Sequence, residues 1–373
     1  MSTNLPRPAL AVYAVWHPDC SVASGLAKSL FTNLCADPEF PASRGMGIPV
    51  RFRTSNDAAE APADVPFGAA ERTAVFVLAD DSLVASAPWR LYVERLAAAA
   101  GRDDRVIPVA LAQPNLLPPA LAALQAIRLF GVSGSELETV FVNDVLHDLC
   151  RLLDPGALKV KVFLSHAKQD GLTITSAVRR HLHEVARLDE FFDAADIPDG
   201  SSFAGILTDA AGSLPALLAV QTDTYASREW CRLEVLEAKK NRVPIVVLAA
   251  VERGERRSFP YLGNVPVVRW HGAESLPEVV GVLLREILRN RYFPRRVLAI
   301  CRLHSLNPGN QVFSYPPELL TALLCRSDLL AEPGASRGRL VYPDPPLGSE
   351  EIELLRRLDP ALDPVTPTIL RAS

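Results

Sequence analysis

Three segments between residues 161 and 234 hold the side chains whose types and spacing could do chemistry. The first, KVFLSHAKQDG, starts at Lys161. A strand ending at Leu164 would leave Ser165 and His166 beyond its carboxyl end, where open α/β sheets bind ligands. The second, FFDAADIPDGSSF, runs from Phe191 to Phe203. It reads as a polar loop with a turn fixed by Pro198 and Gly200, entering a helix near Phe203. Asp193 and Asp196 begin this loop, and Ile197 is its apolar member. The third, SREWCRLE, ends at Glu234. Trp230 and Glu234 are four residues apart, so ring and carboxylate share a helix face. The i−3, i+3 and i+4 neighbours of Glu234 are Cys231, Glu237 and Ala238, none of them a cation. Each residue also has a plainer reading: Trp230 as core, His166 as strand-end packing, Asp193 as a turn cap, Glu234 as an exposed helix carboxylate.

Elements that would position these residues follow from the apolar period. Short β-branched or aromatic runs alternate with helical ones, which predicts α/β with a mostly parallel sheet. In the first half the spacing predicts strands at 10–16, 49–53, 73–79 and 106–111, with helices at 22–34, 89–100 and 136–153. The second half repeats that order. Strands are expected at 161–165, 190–192, 217–221 and 244–250, and helices at 172–185, 203–212, 228–241 and 276–289. The segment AVFVLADDSLVASAPWRL lies over ALLAVQTDTYASREWCRL, and AIRLFGVSGSELETV over VVRWHGAESLPEVV. At the start, aligning His17 with His166 sets Trp16 opposite Ser165. Residues 9–153 and 160–290 therefore read as two copies of one fold. Residues 291–373 hold 11 of the 31 prolines and read as a small appended α/β unit. Strands are expected there at 297–301 and 339–342, helices at 317–324 and 349–358, with Ser349 as N-cap.

Composition removes several classes. The 373 residues are 49% hydrophobic and 22% charged, as in a folded domain. The net charge of −4 argues against a general nucleic-acid binder. No apolar run approaches the roughly 20 residues of a membrane helix. The start, Met1 to Pro8, lacks the apolar core of a secretory signal, so a cytoplasmic protein is expected. Six cysteines, none in a Cys-x-x-Cys pair, read as reduced thiols, and no metal site is expected. Phosphate-binding loops, dinucleotide fingerprints and hydrolase elbows are absent from the sequence.

The ordered triple VFLSHAKQD, FFDAADIPDG and SREWCRLEVLEAKK resembles the TIR (Toll/interleukin-1 receptor) domain, with FFDAADIPDG in the place of its BB loop. The intact W-C-x-x-E pattern is more similar to NAD-cleaving TIR domains of bacterial and plant immunity than to receptor adaptors. The resemblance implies tandem flavodoxin-like parallel-sheet domains, with residues 160–290 the enzyme. It implies an NAD+ glycohydrolase or cyclase that breaks the nicotinamide–ribose bond, with NAD+ as substrate and no further cofactor. Glu234 would carry catalysis. Ser165, His166, Asp193, Phe203 and Trp230 would line the substrate pocket. Asp196, Ile197, Pro198 and Gly200 of the BB loop would meet another TIR domain, in self-association or with a sensor protein, as in an antiviral effector. A purely scaffolding TIR protein, and a nucleoside-transferring enzyme on a similar fold, are the rival readings. The first copy departs where the chemistry lies. Counting from Trp89, position +4 is Val93, and Glu94 at +5 is rotated by about 100°. Alignment on the shared Arg-Leu sets Tyr92 opposite Glu234 instead. Neither register supplies a carboxylate, so 9–153 is expected to be non-catalytic.

Overall fold

The computed structural model describes residues 7–113, 116–132, 134–154, 160–184, 190–193, 216–254, 259–306, 311–324 and 338–372. The chain divides into two compact units. One comprises Met1–Leu152 with Leu298–Leu306, the other Leu153–Val297 with Asn307–Ser373.

The first unit is built on five parallel strands: β1 (Ala11–Trp16), β2 (Val50–Arg53), β3 (Thr73–Ala79), β4 (Asp104–Ala110) and β5 (Ile127–Arg128), in the order β2-β1-β3-β4-β5. Its helices are α1 (Ser21–Leu34), α2 (Asp81–Ala85), α3 (Ala87–Ala99) and α4 (Gly134–Leu153). Every residue of β1 and β3 is buried, as expected of strands covered on both faces.

The second unit repeats the topology. Its strands are β6 (Lys161–His166), β7 (Glu190–Asp193), β8 (Ala216–Gln221), β9 (Ile245–Ala249) and β10 (Val267–Arg269). Their order, β10-β9-β8-β6-β7, is that of the first sheet read from the other edge, and all pairs are parallel. Both sheets thus have the flavodoxin-like order. The fifth strands, β5 and β10, fall inside the second pair of aligned segments. They are only two and three residues long, too short for a period to announce them. Helices α5 (Leu172–Glu184) and α6 (Glu229–Lys240) follow β6 and β8 in sequence.

Helix α7 (Leu276–His304) departs from expectation. It continues past residue 289, contains Pro294, and absorbs the segment 297–301 that had been expected as a strand. The β-branched run there is the buried side of a helix: Val297, Ile300 and Cys301 are buried while Leu298 is exposed. Beyond it a third parallel sheet has the order β11 (Gln311–Val312), β12 (Gly338–Val341), β13 (Leu362–Val365). It carries helices α8 (Leu319–Leu324), α9 (Ser349–Leu358) and α10 (Pro367–Ala372). The N-cap of α9 is Gly348, not Ser349, and the Glu351 carboxylate accepts from the Gly348 N–H at 2.9 Å.

Apolar burial holds the second sheet. Phe163, Leu217, Ala219, Val235, Ile245 and Val247 form one buried cluster between the sheet and α6. Each large aliphatic side chain buried this way contributes about 1.5–3 kcal/mol. The alternation also fixes which β6 side chains face α6: Phe163 belongs to that cluster, so Ser165, two residues on, faces the same way.

Candidate functional site

Strand order reverses between β6 and β8: the chain leaves β6 for β7 on one side, then crosses to β8 on the other. The crevice outside the carboxyl ends of two such strands is where this fold binds ligands. Ser165 and His166 are the last two residues of β6, paired with Ala219 and Val220, rather than lying beyond the strand as expected.

Ser165 is fully buried, and its Oγ donates to Oε2 of Glu234 at 2.5 Å. The Tyr225 hydroxyl lies 2.8 Å from the same Oγ. A serine has one hydroxyl hydrogen, and here the carboxylate receives it. Tyr225 must therefore donate to Ser165. The result is a relay, Tyr225 to Ser165 to Glu234, ending on a half-buried carboxylate. Tyr225 is delivered by a 3-10 turn (Tyr225–Ser227) just before α6 and packs its ring 5.4 Å from Phe259. Burial, then the nearby Cys231, pushes its hydroxyl well above the ordinary tyrosine value, so it stays a donor. Cys231, one turn before Glu234, is 3% exposed. Burial first, then the Glu234 charge, pushes its thiol up to about 12, against an opposing hydrogen bond with Ser165. A neutral thiol at physiological pH is no nucleophile.

A second carboxylate, Asp170, ties the loop after β6 to the loop after β8. It accepts from Thr222 Oγ1 at 2.7 Å, Thr224 Oγ1 at 2.6 Å and the Thr224 N–H at 3.0 Å. Burial raises its pKa. The Thr224 and Thr222 hydrogen bonds outweigh that and hold it below the ordinary aspartate value. The Arg228 guanidinium donates to Gln169 across the same two loops. Asp170 and Tyr225 were not singled out in the sequence. Asp170 closes the first motif and Tyr225 precedes the third, but nothing in one-dimensional spacing shows that their partners lie 54 and 60 residues away.

The remaining expected residues are placed as follows. His166 is 7% exposed at the end of β6. Trp230 is 71% exposed on the first turn of α6, so it is neither core nor an enclosed wall. Asp193 ends β7, opposite Leu164. Asp196, Ile197, Pro198, Gly200 and Phe203 lie outside the described residues. Among the described residues, no group of three or more His, Cys, Asp or Glu could hold a metal ion, and no helix is long and apolar enough to cross a membrane.

The first unit corrects one alignment. Tyr13 and Val15 share a cluster with Trp89, Tyr92 and Val93, as Phe163 and Ser165 share the face that meets α6. Val15 pairs with Val77 as Ser165 pairs with Ala219. The counterpart of Ser165 is therefore Val15, not Trp16. Matching the two histidines slid the strand by one residue, which reverses its faces. On the helix, buried Trp89, Tyr92, Val93 and Leu96 match Cys231, Glu234, Val235 and Ala238. That is the Arg-Leu register. A valine and a tyrosine stand where the second unit has serine and glutamate, and Glu94 points to solvent.

No curated protein and no solved structure matches the chain. The stretch 162–278, which holds β6 to β10, the Tyr225–Ser165–Glu234 relay and the Asp170 tie, matches the family model described as TIR domain, and the protein carries a TIR domain there.

Proposed function

We propose that the TIR domain of this protein cleaves the nicotinamide–ribose bond of NAD+, with Glu234 stabilising the charge that develops. The observation that carries this reading is the carboxylate of Glu234, held by a buried donor chain at the switch point of a parallel sheet. Departure of nicotinamide takes the electron pair of the C1′–N bond and leaves an oxocarbenium-like ribose. A fixed carboxylate beside that carbon lowers the energy of the transition state more than that of bound NAD+. Water then adds its oxygen to C1′ and releases a proton, or a second nucleophile on the substrate closes a ring. Ser165, itself held by Tyr225, fixes the position of the Glu234 carboxylate. The test is incubation of the purified protein with NAD+ and chromatography of the products. Nicotinamide released together with ADP-ribose or a cyclic isomer supports the reading; NAD+ unchanged under every assembling condition refutes it.

A scaffolding role has its own support. Trp230 and Leu233 are 71% and 48% exposed on the helix that bears Glu234, an apolar surface suited to another TIR domain. The two roles are compatible in an effector that cleaves NAD+ only when assembled.

A further inference from the structure

A cavity of about 310 Å3 lies in the second unit, at the edge where β9 and β10 begin. Its walls come from the end of α6, the middle of α7 and the segment 312–321. Strands in a parallel sheet all start at one edge, so this cavity is at the opposite end from Ser165 and Glu234.

The wall presents both hydrogen-bond acceptors and amide donors. Asn241 spends both hydrogens of its side-chain amide on Glu237 and offers only its carbonyl oxygen, whereas Asn264 and Asn290 donate one hydrogen each, to the carbonyls of Pro316 and Arg242, and keep one N–H beside their own carbonyl oxygen. Five lining residues are prolines and bring no N–H. One of these, Pro294, sits inside α7, so the Asn290 carbonyl lacks the helical N–H that would otherwise meet it. Phe313 and Tyr315 supply aromatic surface. Lys239 is engaged by Glu318 and Gly263.

Arg242 is the exception. Its guanidinium carbon lies 5.6 Å from the Phe313 ring centroid, and among the described residues it has no ion-pair partner. It occupies the left-handed position after α6, with φ of 56°. The cap is a Schellman motif, with the Arg242 N–H on Lys239 and the Val243 N–H on Ala238. Glycine ordinarily fills that place, and a long cationic side chain held there at the wall of a cavity is a candidate for function.

We propose that this cavity binds a nucleoside monophosphate, the base, which carries both donors and acceptors, against the asparagine amides and aromatic rings, and the phosphate on Arg242. The volume falls at the low end of pockets that hold ligands of this size, roughly 300–1,000 Å3.

The test is calorimetric titration of the full chain with AMP, adenosine and inorganic phosphate. AMP should bind more tightly than either fragment. Arg242→Gly should weaken AMP roughly tenfold, the loss of a charge-assisted contact, while leaving adenosine binding and holding or raising Tm. Ser314→Trp, which fills the cavity, should remove AMP binding. Glu234→Gln should leave it unchanged. Absence of AMP binding to the wild-type chain overturns the proposal. So does binding that survives both cavity variants, binding lost with Glu234→Gln, or phosphate alone binding as well as AMP. A drop in Tm with Arg242→Gly together with unchanged AMP affinity would make Arg242 a structural residue and overturn it too.

Discussion

The Ser165 hydroxyl reaches the Glu234 carboxylate over 2.5 Å across 69 residues of sequence. It joins the end of one strand to the second turn of a helix that follows another. Ser165 is thereby an anchor for the carboxylate rather than only the pocket edge expected from its place in the first motif.

Glu234→Gln should keep the fold and reduce NAD+ cleavage by on the order of 10²–10³, the usual cost of removing a main electrostatic stabiliser. The amide preserves shape and can still accept from Ser165, so Tm should change little. Turnover within twofold of wild type would sink the assignment.

The relay predicts a graded series. Ser165→Ala leaves the fully buried Tyr225 hydroxyl without its acceptor, at a cost of about 1–3 kcal/mol in stability. Tyr225→Phe removes the outer donor only, at about 0.5–1.5 kcal/mol. In NAD+ cleavage both should lower kcat with little change in KM, because they orient a charge needed in the transition state. Denaturant unfolding and steady-state kinetics on the two variants check the order. A Tyr225→Phe variant that is worse than Ser165→Ala in both measurements contradicts it.

Asp170 makes the loop tie pH-dependent. Its folded pKa is below the ordinary aspartate value of 3.8, so the tie contributes stability above that pH and loses it as pH falls through the folded value. Asp170→Asn should therefore destabilise at neutral pH, and the gap from wild type should close on acidification below about 3.8. Thermal unfolding of both proteins across pH 2–7 measures the gap. A gap that widens toward acid would reverse the sign and refute the account.

Much of this was legible in the sequence because strand cores announce themselves. β3 was expected at its observed bounds, and β1, β6, β8 and β9 within a residue of theirs at each end. What stayed hidden has physical causes. Two edge strands are too short to show a period. The helix is expected to end at 289 and a strand to follow at 297–301, yet burial on one side carries α7 through Pro294 and that segment. The histidine match misplaced Trp16 because identity of one residue type outweighed the face its neighbours must bury. Trp230 reads in the sequence as a pocket wall or as core, both of them enclosed, and only the packing of Cys231, Val235 and Ala238 shows that α6 turns it outward.

The first unit should not contribute to cleavage. Its equivalent positions are Val15 and Tyr92, both fully buried and neither able to carry a negative charge at neutral pH. Glu94→Gln should leave NAD+ loss unchanged, since Glu94 lies on the solvent face of α3. Activity abolished by this change, with Tm held, would make the first unit part of the active site.

Activity should also depend on assembly. Exposed Trp230 and Leu233 sit on the same helix as Glu234, so a second TIR domain covering them would also close over the carboxylate and exclude water. Removing solvent from that region strengthens the charge on which the proposed chemistry depends. Specific activity should therefore rise with protein concentration, or appear only with an assembling partner. Trp230→Ala should flatten that dependence while leaving Tm unchanged, because a side chain exposed this far packs on little of its own domain. Gly200→Arg, which places bulk and charge in the expected BB loop, should do the same from the other side of the contact. Light scattering and activity measured together from nanomolar to micromolar protein decide the matter: a monomer of constant specific activity throughout rules assembly out.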